Sequence, residues 1–259
     1  MKLPKPPVVL CFSGLDPTGG AGIQADIESM AKHACHAAPI ITANTVQDTH
    51  NVISFQPVDA GLILKQARTI LKDMPVSAIK IGMLGSSETA EAIYTLLIQH
   101  PDIPVIFDPV LVAGGGSTLA KKNLIETVNT LIVPHTYILT PNIPEAGLLC
   151  NLKSKPDISA KLLNKMGAKY VLLTGTHANN TDVLHKLYTQ SALQKTYKYK
   201  RLTHEYHGSG CTLAASLAAL IAQNLDTINA CQNALDFTYK TLNSASSLGG
   251  GQLIPNRNL

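Results

Sequence analysis

The sequence predicts an α/β fold: one doubly wound, mostly parallel central sheet with helices on both faces and a small hairpin at one edge. Three observations predict it. Short apolar runs alternate with segments of helical periodicity along most of the chain, the pattern of β–α–β crossovers. Polar and glycine-rich segments recur at the carboxyl ends of those runs, where such sheets bind ligands. The chain has 259 residues, 45% hydrophobic and 15% charged, enough apolar material for one large core. No internal repeat or linker divides it. Residues 1–259 therefore read as a single domain, with 1–7 a loose, proline-rich lead-in.

Each element has its own warrant. Residues 8–12 are apolar, and 8–13 read as a buried strand. Residues 14–20 turn, and 21–32 form a helix with Ile23, Ile27 and Met30 on one face. Residues 39–46 are a second strand, and 52–58 alternate as an edge strand. Asp59 caps a helix reaching Leu71, with Ile63, Ala67 and Ile70 inward. A strand at 78–81, a helix at 87–99, a strand at 105–108 and a helix at 120–131 follow. Next come a strand at 137–140, a helix at 158–166 and a strand at 170–174. Residues 183–188 and 195–201 pair as a hairpin, and two helices close the chain.

Composition excludes several classes. Trp is absent and aromatics are 5% of residues, against a stacking groove for single-stranded nucleic acid. The net charge is +4. Its densest basic run, Lys195, Lys198, Lys200 and Arg201, interleaves with Tyr197 and Tyr199 as a strand with one solvated face. No nucleic-acid partner is expected. Five cysteines, at 11, 35, 150, 211 and 231, include no C-x-x-C pair. That argues against a disulfide framework or structural zinc and for a reducing cytoplasm. No apolar stretch approaches the roughly 20 residues that span a bilayer, so no membrane partner is expected.

Five segments carry chemistry. His207-Gly208-Ser209-Gly210-Cys211-Thr212 opens a helix of small residues. Backbone N–H groups there converge on one spot at the positive end of the helix dipole. The same field favours the thiolate of Cys211, which is open to three readings: general base, covalent nucleophile or small buried residue. Residues 13–22, Ser-Gly-Leu-Asp-Pro-Thr-Gly-Gly-Ala-Gly, join a strand to a helix, as an anion cradle or a plain tight turn. The segment lacks both Gly-x-Gly-x-x-Gly and Gly-Lys-Ser/Thr, so neither dinucleotide nor Walker-type binding follows. Asn142-x-x-Glu145, after Thr140-Pro141, reads equally as a holder of Mg²⁺ waters or as a helix-start cap. Asp108-Pro109-Val110, followed by Gly114-Gly115-Gly116-Ser117, offers a carboxylate at a strand end, or an ordinary loop. Gln47 offers an amide edge able to pair with an aminopyrimidine, or a polar loop residue.

Taken together, these segments resemble the bacterial hydroxymethylpyrimidine/phosphomethylpyrimidine kinases of the ribokinase-like superfamily. The motifs are residues 14–26, Lys80-Ile81-Gly82-Met83-Leu84, Asp108-Pro109-Val110, Thr140-Pro141-Asn142-x-x-Glu145-Ala146 and the loop from His207 to Thr212, in family order. The resemblance implies a dimeric kinase using ATP and Mg²⁺. It implies phosphorylation of 4-amino-5-hydroxymethyl-2-methylpyrimidine and then of its monophosphate. It assigns Gln47 to the pyrimidine edge, and Gly14, Asp16, Ala21, Met83 and Val110 to the substrate pocket. Asn142, Thr174, Gly175 and His177 are assigned to the nucleotide, and Asp108 and Glu145 to the metal. Gly208, Ser209 and Gly210 form the anion hole. Cys211 becomes the proton acceptor, where the wider superfamily generally uses an aspartate.

The chain also departs from the family pattern. Gly114-Gly115-Gly116 replaces a common Lys-Ser-Gly, Thr174-Gly175-Thr176-His177 replaces Lys-Gly-Gly-His, and Glu205-Tyr206 replaces Asn-Thr. Two family lysines are missing, and Lys80, Lys121 and Lys122 are the candidates to compensate. Three competing functions remain at this point. They are a pyridoxal kinase on the same scaffold, a Cys–His hydrolase using Cys211 with His207 or His204, and a pyrimidine-binding protein without catalysis.

Overall fold

A computed structural model describes residues 5–111, 122–152, 155–176 and 181–259. The chain runs β1 (Val8–Leu15), α1 (Gly22–Lys32), β2 (His36–Gln47), β3 (Val52–Pro57), α2 (Ala60–Asp73), β4 (Val76–Ile81), α3 (Ser87–Leu97) and β5 (Val105–Phe107). It continues with α4 (Lys122–Thr127), β6 (Ile138–Leu139), α5 (Ile143–Cys150), α6 (Pro156–Lys165), β7 (Tyr170–Leu173), β8 (Asp182–Thr189), β9 (Ala192–Lys200), α7 (Ser209–Ala222) and α8 (Thr227–Asn243).

The strands form one sheet in the order β3-β2-β1-β4-β5-β6-β7-β8-β9. β2-β1-β4-β5-β6-β7 are mutually parallel. The antiparallel β3 and the β8–β9 hairpin form the two edges, as the sequence predicts. The winding reverses between β1 and β4, and their carboxyl ends therefore open a crevice.

Alternation along the strands divides the core into two layers. In β1, Val8, Leu10 and Phe12 join the layer beneath α2, α3, α5 and α6, while Val9 and Cys11 join the layer with α1, α7 and α8. Helix α7 is buried from Thr212 to Ala222, between the sheet and its neighbours α1 and α8. Its seven alanines and serines allow the close approach that a helix enclosed on all sides requires. Asp59 caps α2 by accepting from the Leu62 N–H at 2.8 Å.

Three differences from the sequence reading have physical causes. β2 starts at His36 and so contains Pro39. Before Ala43 this strand pairs with β1 alone, so a residue without an N–H is tolerated. The helix expected over 120–131 is α4 followed by a π turn at Val128–Ile132 and a 3₁₀ turn at Val133–His135. Pro134 cannot donate to a continuing α-helix. α5 follows only from the cap reading of Asn142 and Glu145, because eight mostly apolar residues with Pro144 near the start carry little helical periodicity. Its proline falls in the first turn, where the missing N–H costs nothing.

At the crevice, β1, β4 and α1 are tied by one buried ion pair. The Lys80 ammonium lies 2.9 Å from Asp26 Oδ1 and donates to Asp26 Oδ2 at 3.0 Å and to Ser13 Oγ at 2.8 Å. Ser13 donates to Asp26 Oδ2 at 2.6 Å. Both charged side chains are fully buried. Lys80→Met leaves an uncompensated buried carboxylate and is expected to lower the unfolding free energy by about 3–5 kcal/mol. Adding Asp26→Leu is expected to restore most of that loss. Urea unfolding of the single and double variants checks both.

Candidate active site

Two glycine loops meet at the crevice. The first follows β1 and is organised by Asp16. Its Oδ1 accepts from the Thr18 N–H at 2.8 Å, and its Oδ2 from the Ala21 N–H at 2.8 Å. Across the gap, His207 Nε2 lies 2.8 Å from Asp16 Oδ2. Burial alone would raise the Asp16 carboxyl, but the bonds from His207 and Thr18 prevail and hold it below the usual aspartate value. Asp16 thus joins the two loops, and both its oxygens are committed to protein donors.

The second loop opens α7. Gly208 is its N-cap, with φ +75°. A Cβ there would lie 2.0 Å from the Gly20 carbonyl, so both backbone angle and close approach require glycine. The first-turn N–H groups of Ser209, Gly210 and Cys211 have no acceptor within the helix and face outward at its positive end. A Cβ on Gly210 would stand 3.6 Å from both Asp108 carboxylate oxygens. Gly210 and Asp108 therefore face each other.

Cys211, in the first turn of α7, retains some exposure. Its thiol is pushed up to about 12. Burial is the largest cause, Lys80 opposes it, and the Asp108 and Asp26 carboxylates add to it. The helix dipole alone had suggested a favoured thiolate; burial and two carboxylates reverse that in the ligand-free protein. Neither His207 nor His204 is among the groups acting on Cys211. His207 is bonded to Asp16, and the exposed His204 packs edge-on against Tyr206. The Cys–His pairing required by the hydrolase reading is absent.

Asp108, just past β5, is buried and pushed up to about 6, chiefly by burial, with Lys80 opposing and Asp26 adding. Glu145 is also buried and lies well above the usual value, first through burial and then through the charge of Asp108. Asn142 and Glu145 form a reciprocal capping box at the start of α5. The Glu145 N–H donates to Asn142 Oδ1 at 2.8 Å, and the Asn142 N–H to Glu145 Oε2 at 2.9 Å. The cap reading is therefore realised, and it buries a carboxylate within the field of Asp108. Two such carboxylates are hard oxygen donors whose mutual repulsion a divalent cation relieves. Among the described residues, no three His, Cys, Asp or Glu side chains form a ready-made cage.

Thr174 lies beside Asn142 in a parallel bridge, its N–H donating to the Pro141 carbonyl at 2.9 Å. Gly175 is buried beneath the Leu184 carbonyl. Met83 packs with Ala43, Val52, Phe55 and Val110, and its sulfur lies 3.0 Å from where a Gly14 Cβ would be. Gly14, Met83 and Val110 thus come together as one apolar floor, and Ala21 lies against Gly208. Gln47, half-buried at the end of β2, lines a cavity of about 510 Å³ with Pro17 and Thr18 of the first loop and residues of the C-terminal tail. His177, Lys121 and the loop of residues 114–117 lie outside the described residues.

The missing lysines are not replaced by the described candidates. Lys80 is committed to Asp26 and Ser13, and Lys122 is exposed on α4 beside Glu126. Sequence reasoning missed the C-terminal tail, whose Arg257 is buried against both loops. A basic residue three positions from the end of the chain carries no signal of burial; the Gly249-Gly250-Gly251 run was the available sign of a wrapped turn.

A phosphomethylpyrimidine kinase family model matches residues 16–256. A hydroxymethylpyrimidine/phosphomethylpyrimidine kinase of Haemophilus influenzae is 32% identical over 94% of this chain and 93% of its own. A thiamine biosynthesis bifunctional protein of Geobacter sulfurreducens is 33% identical over 94% of this chain, which spans 50% of that longer protein. Among solved structures, a phosphomethylpyrimidine kinase of Clostridium difficile superposes with a TM-score of 0.78 at 28% identity, covering 91% of this chain and 98% of its own. A Bacillus subtilis pyridoxal kinase superposes with a TM-score of 0.88 at 23% identity, covering 98% of each chain, a likeness of fold.

The carboxylate pair generates a pH dependence. The folded-state value of Asp108, about 6, exceeds its ordinary 3.8. Its stabilising contribution is therefore complete below about pH 4 and is lost as pH rises through about 6. Asp108→Asn is expected to abolish that fall. Without added metal at pH 7, the variant should be more stable than the natural protein by on the order of 1–3 kcal/mol. Urea titrations of both proteins at pH 4.5 and 7 measure the difference.

Proposed function

The chain belongs to the phosphomethylpyrimidine kinase family and is a phosphotransferase of thiamine biosynthesis; we propose that it carries the γ-phosphoryl group of ATP to the hydroxymethyl group of 4-amino-5-hydroxymethyl-2-methylpyrimidine, and then phosphorylates the monophosphate. The observation that carries this reading is the first turn of α7, with its outward N–H groups, facing Asp108 across Gly210. Phosphoryl transfer needs positioning and neutralisation of charge more than covalent help from the protein. The Ser209, Gly210 and Cys211 N–H groups suit the equatorial oxygens of the moving phosphoryl group.

The roles divide by location. Cys211 takes the proton of the attacking hydroxyl. Its resting thiol is neutral, so ligand binding must lower it, and the adjacent Lys80 ammonium is the fixed positive charge that favours the thiolate. Gln47 reads the amino and ring nitrogens of the pyrimidine; Gly14, Met83, Val110 and Ala21 line its surroundings. Asn142, Thr174 and Gly175 serve the nucleotide phosphates from the adjoining ends of β6 and β7. Asp108 and Glu145 fit Mg²⁺ held largely through water, since Glu145 also accepts from backbone N–H groups. When bound, Mg²⁺ neutralises phosphate charge. A homodimer formed in the cytoplasm completes the reading. The free edge of β3 supports the dimer, with Ile53 73% exposed and Val46 exposed on the neighbouring strand.

Mass spectrometry of products formed from ATP, Mg²⁺ and a panel of the pyrimidine alcohol, its monophosphate and pyridoxal tests the assignment. Turnover of both pyrimidines in preference to pyridoxal is expected, and Gln47→Leu should raise KM for the pyrimidine alcohol while sparing KM for ATP. Turnover of pyridoxal alone would transfer the chain to the other kinase activity of this fold, and no turnover would leave a binding protein. For Cys211→Ala, kcat is expected to fall at least about 10²-fold with pyrimidine binding nearly unchanged, the scale of a lost general base. Steady-state kinetics with calorimetric binding separates the two effects.

A further inference from the structure

Arg257 lies at the far end of the chain from the first glycine loop, yet its side chain is buried between both loops. Its Nε donates to Thr212 Oγ1 at 2.9 Å, and its Nη1 to Glu28 Oε2 at 3.1 Å. Its Nη2 donates to the Gly20 carbonyl. The fork thus reaches α7, α1 and the first loop together. A planar guanidinium can do this; a single ammonium cannot.

The bonds beyond Arg257 lead to the anion hole. Thr212 Oγ1, which accepts from Arg257, donates to the Gly208 carbonyl at 2.9 Å. The Gly20 carbonyl held by Arg257 is the group against which Gly208 packs without room for a Cβ. In a planar trans peptide the carbonyl and the next N–H point in opposite directions. Fixing the Gly208 carbonyl therefore fixes the direction of the Ser209 N–H. The tail is anchored independently: the His207 N–H donates to the Leu253 carbonyl at 2.9 Å, and the Leu253 N–H to the Glu205 carbonyl at 2.9 Å. Ser246 and Ile254 pair across the turn.

We propose that Arg257 is a positioning residue for phosphoryl transfer, clamping the Gly20 carbonyl and the Thr212–Gly208 pair so that the N–H groups at the start of α7 converge on the moving phosphoryl group. This rests on the kinase reading above. Because the clamp acts on the start of α7 and does not touch Gly14, Met83 or Val110, its loss falls chiefly on kcat.

The test uses the full chain with ATP, Mg²⁺ and the pyrimidine alcohol. Arg257→Lys keeps the charge and most of the volume, and should remain folded with a Tm close to that of the natural protein. Its kcat should fall about 10- to 100-fold, the scale of a displaced catalytic group, with pyrimidine KM changed less than about twofold. Arg257→Ala should lose at least as much kcat and regain part of it when guanidinium ion is added at millimolar concentration. Unchanged kcat in Arg257→Lys, a change confined to pyrimidine KM, or activity lost only in proportion to folded protein would each overturn the proposal. Absence of turnover in the natural protein would instead overturn the kinase reading, and this inference with it.

Discussion

The buried pair between Lys80 and Asp26 is the constraint on which the rest of the site depends. It joins the end of β4 to α1 and, through Ser13, to β1, at the place where the sheet changes its direction of winding. A parallel sheet leaves a crevice there because its two flanking crossovers go opposite ways. Something must hold the crevice walls at a fixed spacing, and here it is a fully buried charge pair bonded to Ser13 from both sides. Burial is the largest single influence and disfavours the Lys80 ammonium, but the charge and hydrogen bond of Asp26, with Cys211 and Asp108 adding, together outweigh it and hold the side chain charged. The same ammonium lies close enough to Cys211 and Asp108 to influence both. Structure and electrostatics are thus supplied by one residue, which is why it is not free to reach a phosphate.

Above this base, the two glycine loops are joined at three levels. Asp16 and His207 connect them through side chains, Gly20 and Gly208 through backbone contact, and Arg257 by bonding the Gly20 carbonyl and the Thr212 hydroxyl together. The backbone N–H groups at the start of α7 have no side chain to adjust their aim. In the proposed anion hole their accuracy would come from whatever fixes the peptide planes, and the hydrogen bonds around this loop of small residues do that.

The fold was legible because its signals are local. Apolar alternation and helical periodicity lie within a dozen residues, and Asp59 could be identified as a cap from its neighbours alone. Cys211, Asp108 and Glu145 were legible as candidate residue types, at a helix start, a strand end and a possible cap. What could not be read was their mutual effect. Asn142 and Glu145 were open to two readings because a capping box and a metal motif use the same residues at the same spacing. The structure gives the cap geometry and, in addition, the burial beside Asp108 that a cap alone does not require. The thiol of Cys211 was misjudged because a helix start is a local feature, whereas the burial and the two carboxylates that dominate it come from other parts of the chain. Arg257 was invisible for the same reason: its partners are Gly20, Glu28 and Thr212, none nearer than 45 residues in sequence.

These long-range charges also account for a cysteine at this position. Asp26, Asp108 and Glu145 already place three carboxylates around the crevice, with Lys80 as the buried cation that offsets them. An aspartate in place of Cys211 would add a further negative charge to a region where Asp108 and Glu145 are already raised. Like charges in low dielectric disfavour one another's ionised forms, so that carboxylate would itself be driven toward protonation. A thiol avoids the conflict at rest because it is neutral there. In the proposed role it would become a base only when the surrounding negative charge is compensated, which a phosphate-bearing substrate can accomplish only in company with a cation. In that role the thiol stays neutral until the site is filled, held so by burial and by the same crowding of carboxylates that raises it.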